Sequence, residues 1–178
     1  MSDFFKGCVF YFINHILNKV PSRHMRIYFY SLLSKGNISR KASIGLGVRI
    51  LDIRKVKIGD FTNINFDSII DGRGDGIEIG ANVDIGPQVN IWSLEHEPNS
   101  ENHQSRKGKV IIGNYCWIAN RVTILPNTTI EKHHVAAAGS IMKGLYCEGG
   151  ISMCSKAKVI KKKEILRKEK LKELRIFR

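Results

Sequence analysis

An aliphatic residue returns at every sixth position along most of the chain. The series runs Ile38, Ile44, Ile50, then Ile58, Ile64, Ile70, then Ile79, Ile85, Ile91; after a gap it resumes at Ile112, Ile118, Ile124, Ile130 and fades through Ala136 and Met142. The next position is often glycine (Gly45, Gly59, Gly80, Gly86, Gly113), and the fourth after the aliphatic is small or β-branched (Ala42, Thr62, Ser68, Val83, Val89, Cys116, Ser140). A helix repeats every 3.6 residues and a lone amphipathic strand every two, so a sustained period of six fits neither. It fits a short strand and a tight corner, repeated. Three such hexads close one triangular coil, with the aliphatic and the small residue pointing inward into ladders and glycine, Asn or Asp at corners of positive φ. Fifteen hexads make about five coils, each burying its inner face against its neighbours. The pattern predicts an all-β solenoid, a parallel β-helix, over residues 38–160.

The flanks read differently. Residues 1–37 have mixed apolar spacing with Pro21 and Ser22 in the middle, which predicts two short helices broken near Val20 that cap the open end of the solenoid. Residues 161–178 place Ile165, Leu166, Leu171, Leu174 and Phe177 among basic residues, the pattern of a basic amphipathic helix. That helix either packs one face on the prism or meets anionic lipid or a phosphorylated ligand. The repeat itself is interrupted at 55–57, at 71–76 (DGRGDG) and, at greatest length, at 93–109, which contains SLEHEPN and His96. Loops carried on a rigid scaffold are where chemistry usually sits.

Composition adds bounds. At 178 residues and 43% hydrophobic the chain supports one core, and its formal charge of +13 favours anionic partners: nucleic acid, an anionic membrane or a phosphorylated cofactor. No aromatic and basic platform or known motif supports nucleic acid. Cys8, Cys116, Cys147 and Cys154 show neither CxxC spacing nor nearby zinc-finger histidines, so no disulfide framework or metal site is expected, and a reducing cytoplasm is the simplest setting. The apolar run from Phe4 to Leu17 is too short to span a bilayer, which needs about 20 residues, and lacks a small-residue cleavage site.

The segments INFDSIIDG, IEIGANVDIGPQVNIWSLEHEPN, GKVIIGNYCWIANRVTILPNTTI and AAAGSIMK, between Ile58 and Ile160, resemble the maltose and galactoside O-acetyltransferase branch of the hexapeptide-repeat acyltransferases. They are similar also to the acetyltransferases that decorate capsule, O-antigen and exopolysaccharide sugars. The resemblance implies a left-handed β-helix, a homotrimer with active sites between neighbouring prisms, acetyl-CoA as donor, and His96 as general base. Histidine suits that task because it titrates near neutral pH, although on chemistry alone His15, His24, His103, His133 and His134 compete. Asn65 is implied as the donor to the acyl or tetrahedral centre, Asp71 and more weakly Asp67 as contacts for acceptor hydroxyls, and Glu95 or Glu97 as the group orienting His96. Trp117, Ala119, Asn120, Ala138 and Gly139 match the wall along which pantetheine lies, with Lys143, Lys158 and Lys161 as partners for CoA phosphates. Each has a plainer reading: corner chemistry for Asn65 and the aspartates, packing for Trp117, a solvated basic face for the lysines.

The chain departs from the family pattern at Ala119 and Asn127, where glycine is usual, and at MCSKAKVI from Met153, which lacks the usual Gly and Pro. The expected activity is acetyl-CoA-dependent O-acetylation of a sugar hydroxyl in surface-glycan assembly, in the cytoplasm or at the inner membrane surface if the sugar is lipid-linked. N-acetylation of an amino sugar, transfer of another small acyl group, or a non-catalytic hexapeptide scaffold are the alternatives. A metal-dependent relative would need three converging histidines, which a single loop histidine does not supply.

Overall fold

Six-residue sides close into triangles because each hexad ends in a residue that turns the chain. The structure, a computed structural model, describes residues 3–97, 104–153 and 158–162, the last segment by its backbone. Strands are numbered along the chain. Coil 1 holds β1 (Ser43–Ile44) and β2 (Arg49–Leu51); coil 2, β3 (Val56–Ile58), β4 (Asn63–Ile64) and β5 (Ile69–Asp71); coil 3, β6 (Ile77–Ile79), β7 (Asp84–Ile85) and β8 (Asn90–Trp92). A hairpin, β9 (Leu94–His96) and β10 (Ser105–Lys107), then leaves the prism. Coil 4 resumes with β11 (Val110–Ile112), β12 (Trp117–Ile118) and the first half of β13 (Thr123–Ile130). The rest of β13, β14 (Val135–Ala136) and the start of β15 (Ile141–Tyr146) form coil 5; β16 (Gly150–Met153) starts another turn, and β17 (Lys158–Lys162) runs back antiparallel to it.

Successive coils pair in parallel, and on one inner face the register stacks Ile44, Ile64, Ile85, Ile118 and Ala136. Counted in the strand order of coil 2 that is the second face; the third carries Ile50, Ile70, Ile91, Ile124 and Met142, and the first Ile58, Ile79, Ile112 and Ile130, all buried. Burial of each such side chain contributes roughly 1.5–3 kcal/mol. The smaller inward residues tie coils together: the Thr62 hydroxyl donates to the Gly80 carbonyl (2.6 Å) and accepts from the Val83 N–H (3.1 Å). The result is a left-handed β-helix of about five coils.

The corners correct one expectation. Positive φ is not carried by the hexad glycines but by Phe61, Asn82, Tyr115 and His133 at the corner between the first and second faces, and by Asp67, Gln88 and Arg121, with Gly47 and Gly139, at the next. The hexad glycines serve spacing instead. A Cβ on Gly45, Gly59 or Gly86 would lie 2.7 Å from a backbone nitrogen of the coil above, and on Gly113, 2.6 Å. Asn127 does take a left-handed φ of 61°, whereas Ala119 is not among the positive-φ residues.

At the open end lie α1 (Asp3–Tyr11), a π-helical turn (Phe12–Ile16), a short 3₁₀ turn (Leu17–Lys19) and α2 (Arg23–Leu33). The break falls at Val20–Pro21, and Ser22 caps α2 by accepting from the Met25 N–H. Ile13, Leu17, Ile27 and Tyr30 cover coil 1. The polar groups of this cap answer the unpaired edge. Buried Asn14 donates to the Ile50 carbonyl (3.1 Å) and accepts from its N–H (2.8 Å), as a further strand would. Arg26 reaches the Ile44 carbonyl (2.8 Å), and Ser34 accepts from the Ile38 N–H (3.0 Å). At the far end β17 includes Lys161 and Lys162, so the helix expected from residue 161 does not start there; residues 163–178 lie outside the described residues.

His134 is fully buried beneath the last strands, with Nδ1 2.9 Å from the Cys147 carbonyl and Nε2 2.8 Å from Ser152 Oγ. A carbonyl only accepts, so Nδ1 carries the proton and Nε2 accepts from the serine. Burial lowers the imidazole's pKa below 6.5, more than the Cys147 carbonyl raises it. Its contribution to stability is therefore complete above about pH 6.5 and is lost as pH falls through the lowered folded value. Thermal melts between pH 8 and 5 will show a destabilisation of the native protein on acidification that His134→Thr reduces. Asn14→Leu strands two buried backbone groups and will cost about 2–4 kcal/mol, seen by circular dichroism as a midpoint roughly 5–15 °C lower.

Candidate active site

The third corner, between the third and first faces, is where the chain is irregular: a 3₁₀ turn at Ile53–Lys55, the bulge 71–76 and the excursion 93–109 all leave from it. The bulge and the excursion are stacked. Buried Ser93 accepts from the Gly74 N–H (2.9 Å) and donates to the Asp71 carbonyl, while its own carbonyl accepts from Gly108 N–H (2.9 Å). A Cβ on Gly74 would meet the Ser93 carbonyl, so only glycine allows this contact. Asp71 is fully buried, and both its oxygens are held by Arg73 at 2.9 Å. The hydrogen bonds that Arg73 donates to Asp71 raise the pKa of Arg73. The expected acceptor contact at Asp71 is thus closed by Arg73, which is half-exposed in its place.

His96 stands exposed at the end of β9, opposite Ser105 across the hairpin. Side chains alternate along a strand, so Glu95 and Glu97 point to the opposite side from His96. There Arg106 binds both, Glu95 through Nε (2.7 Å) and Glu97 through Nη1 (2.8 Å). Lys143, from β15, adds a 3.1 Å ion pair to Glu95. Burial alone would raise the pKa of Glu95; the hydrogen bonds from Arg106 and Lys143 together outweigh it and hold it below the usual carboxylate range. Glu95 therefore fastens the hairpin to the prism through Lys143, and Arg106 ties both glutamates to β10. Sequence reasoning missed Ser93 and Arg106. The signal was present in the second case, as a lone arginine returning nine residues after the EHE triplet.

Asn65 and Asp67 sit at a different corner, the one between the second and third faces. The Asn65 amide donates to the Ile85 carbonyl (3.0 Å), which uses one N–H and leaves its second N–H and its oxygen. Asp67 is exposed at a left-handed φ of 56°. Above them on the same edge, on coils 4 and 5, are Ala119, exposed Asn120, exposed Ala138 and Gly139; Gly139 N–H bonds the Asn120 carbonyl (3.0 Å). Trp117 lies 51% exposed on the adjoining second face. The structure thus gathers Asn65, Asp67, Ala119, Asn120, Ala138 and Gly139 on one edge, with Trp117 beside it. His96 and Lys143 belong to another edge, one six-residue side away, at most about 20 Å. The side chains of Lys158 and Lys161 lie outside the described residues.

These features define a class: a left-handed β-helix with a clamped, histidine-bearing hairpin at one corner and a wall of small residues at the next. No family model matches the chain. A candidate acetyltransferase of Saccharomyces cerevisiae is 33% identical over 112 residues, which is 60% of this chain and 56% of the relative, so the match spans just over half the relative's length. A maltose O-acetyltransferase from Clostridium difficile 630 superposes with a TM-score of 0.80 at 21% identity, covering 92% of this chain and 90% of the other. A hexapeptide-repeat acetyltransferase from Vibrio cholerae O1 biovar eltor, complexed with acetyl coenzyme A, gives 0.77 at 21%, covering 90% and 85%. An N-acyltransferase from Bacillus cereus, complexed with dTDP and coenzyme A, gives 0.60 at 21%, covering 71% and 76%. The chain has the fold of the hexapeptide-repeat acetyltransferases.

Because Arg106 holds both strands of the hairpin, Arg106→Ala will loosen it locally. Hydrogen exchange will be faster at the Glu97 N–H, which bonds the Gln104 carbonyl at 2.8 Å, and unchanged at Ile91 in the prism.

Proposed function

We propose that the protein is an acetyl-CoA-dependent O-acetyltransferase acting on a sugar hydroxyl, with His96 as general base and a site shared between two copies of the chain. The observation that carries this reading is the separation of its parts: His96 projects from one edge, while Asn65 and the small-residue wall occupy another. Two copies set edge to edge bring an imidazole opposite the wall, and three arranged about an axis repeat the contact three times. The fold shared with acetyltransferases, one of them crystallised with acetyl coenzyme A, supports the donor.

In the reaction, the His96 imidazole takes the proton of the acceptor hydroxyl as its oxygen attacks the thioester carbonyl. The second N–H of Asn65 donates to the oxygen on which negative charge develops, a contact that is worth most in the transition state. The carbon–sulfur bond then breaks, and the CoA thiolate recovers the proton from the imidazolium. Asn120, Ala138 and Gly139 present backbone and small side chains that let a pantetheine arm lie close. Lys143, fastened to Glu95, stands on the histidine edge and meets CoA only across the contact between copies; Lys158 and Lys161 are further candidates for its phosphates. Arg73 and Asp67, exposed charged groups at the two corners, are candidate contacts for acceptor hydroxyls. A surface-glycan precursor fits this reading. N-acetylation of an amino sugar is the second reading, supported by the N-acyltransferase among the structural neighbours.

His96→Ala will lower turnover with acetyl-CoA by roughly 10²- to 10⁴-fold with the fold intact, measured by thiol release in the presence of candidate sugars. Co-expression of His96→Ala with Asn65→Ala tests the shared site. In a mixed trimer one of the three contacts recovers both native residues, so activity will return in part; no recovery at all means that each chain holds a complete site, and the shared-site reading fails.

A further inference from the structure

All of the excess charge lies at the two ends of the chain. Residues 1–50 carry eight Lys or Arg against Asp3 alone, residues 51–160 carry twelve of each sign, and residues 161–178 carry nine against three. The total of +13 therefore divides as +7, zero and +6. The first block is the helical cap with coil 1, so an electrically balanced prism ends in a cationic cap.

On that cap the outward face of α2 is apolar. Met25, Tyr28 and Leu32, at i, i+3 and i+7, form one stripe and are 52%, 49% and 55% exposed, while Arg26, Ile27 and Tyr30 face the prism. Arg40, from coil 1, lies over the Tyr28 ring at 5.2 Å, and exposed Lys35 follows the helix. Beside the end of α2 a groove of about 610 Å³ opens between α1 and coil 1, lined by Phe10, Ile13, Leu33 and Ile53, with Lys35, Asp52, Arg54 and Arg73 also on its walls.

We infer that this end of the protein docks on an anionic lipid surface, the Met25–Tyr28–Leu32 stripe entering the headgroup boundary and Arg40 and Lys35 meeting lipid phosphates. An aromatic and aliphatic stripe beside cations is the composition of an interfacial helix. The other occupants fit less well. A like cap from a second copy sets +7 against +7, and residues 161–178 are repelled in the same way. Nucleic acid satisfies the cations but leaves the stripe in water, and the apolar groove suits an acyl chain rather than a base. No described helix is long and apolar enough to cross a membrane, so the contact is with its surface. Arg73 also borders the groove, so the test alters only the α2 stripe and reads binding alone, independently of acetyl transfer.

The full-length protein is floated with vesicles of phosphatidylcholine, with and without phosphatidylglycerol, at low and high salt. Binding to the anionic vesicles only, weakening with salt and falling about tenfold or more in M25D/L32D, is the expected result. In an otherwise native chain, Leu32→Trp will shift its emission to the blue on anionic vesicles and be quenched by brominated lipid. Any of four outcomes overturns the inference: no binding to anionic vesicles; binding by M25D/L32D equal to native, which assigns it to the basic tail; dissociation of the assembly by M25D/L32D in light scattering, which makes the stripe a subunit interface; or retention on DNA with no response of Leu32→Trp to lipid.

Discussion

The distance between stacked coils is the constraint on which the rest depends. Neighbouring strands sit about 4.8 Å apart, and in several hexads the glycine after the inward aliphatic faces straight onto the backbone of the next coil. At Gly45, Gly59, Gly86 and Gly113 an added Cβ would come within 2.6–2.7 Å of that backbone. The inner ladder is equally strict, since it accepts side chains of isoleucine size at one position and small ones at the other. Little freedom is left on the faces. Variation is pushed to the corners and the outer surface, where Asn65 and Asp67 stand at one corner and the hairpin with His96 at another.

A parallel stack also ends badly, because its last coil offers a row of unpaired donors and acceptors. The cap meets this with side chains that imitate backbone. Asn14 supplies the N–H and C=O that an additional strand would have given to Ile50, and Arg26 covers the Ile44 carbonyl. At the other end a strand of opposite direction, β17, closes on β16. Both ends are thereby unsuited to further growth of the stack.

The repeat, the coil count, the helical cap and the loop carrying His96 were all legible, because each leaves a periodic trace or a break in one. What escaped depends on which corner a residue reaches, and the unequal insertions at 71–76 and 93–109 hide that count. Lys143 reads as one more lysine near the CoA wall, yet it comes round to the histidine corner and pairs with Glu95. Asp71 reads as an exposed corner carboxylate, yet the bulge folds Arg73 back over it. Phe61, Tyr115 and Arg121 take left-handed conformations that residue type alone does not suggest. The neighbouring coils repeat the turn above and below each of them, through bonds such as Tyr115 N–H to the Ala81 carbonyl at 3.0 Å, and this periodic support offsets the intrinsic cost of positive φ.

The charge distribution and the proposed sharing of a site between copies are compatible for a physical reason. Copies that meet along the sides of the prism bring together the span from 51 to 160, whose charges balance, so no net repulsion opposes the contact that would complete the site. The cationic blocks fall at the ends of the chain, away from that contact. Had the +13 been spread evenly, every edge-to-edge approach would carry like-charge repulsion over a distance of the order of the Debye length, about 8 Å at physiological salt. Confining it to the ends leaves the sides free for assembly and the helical end free for an anionic surface, and both follow from a repeat whose faces admit so few charged residues.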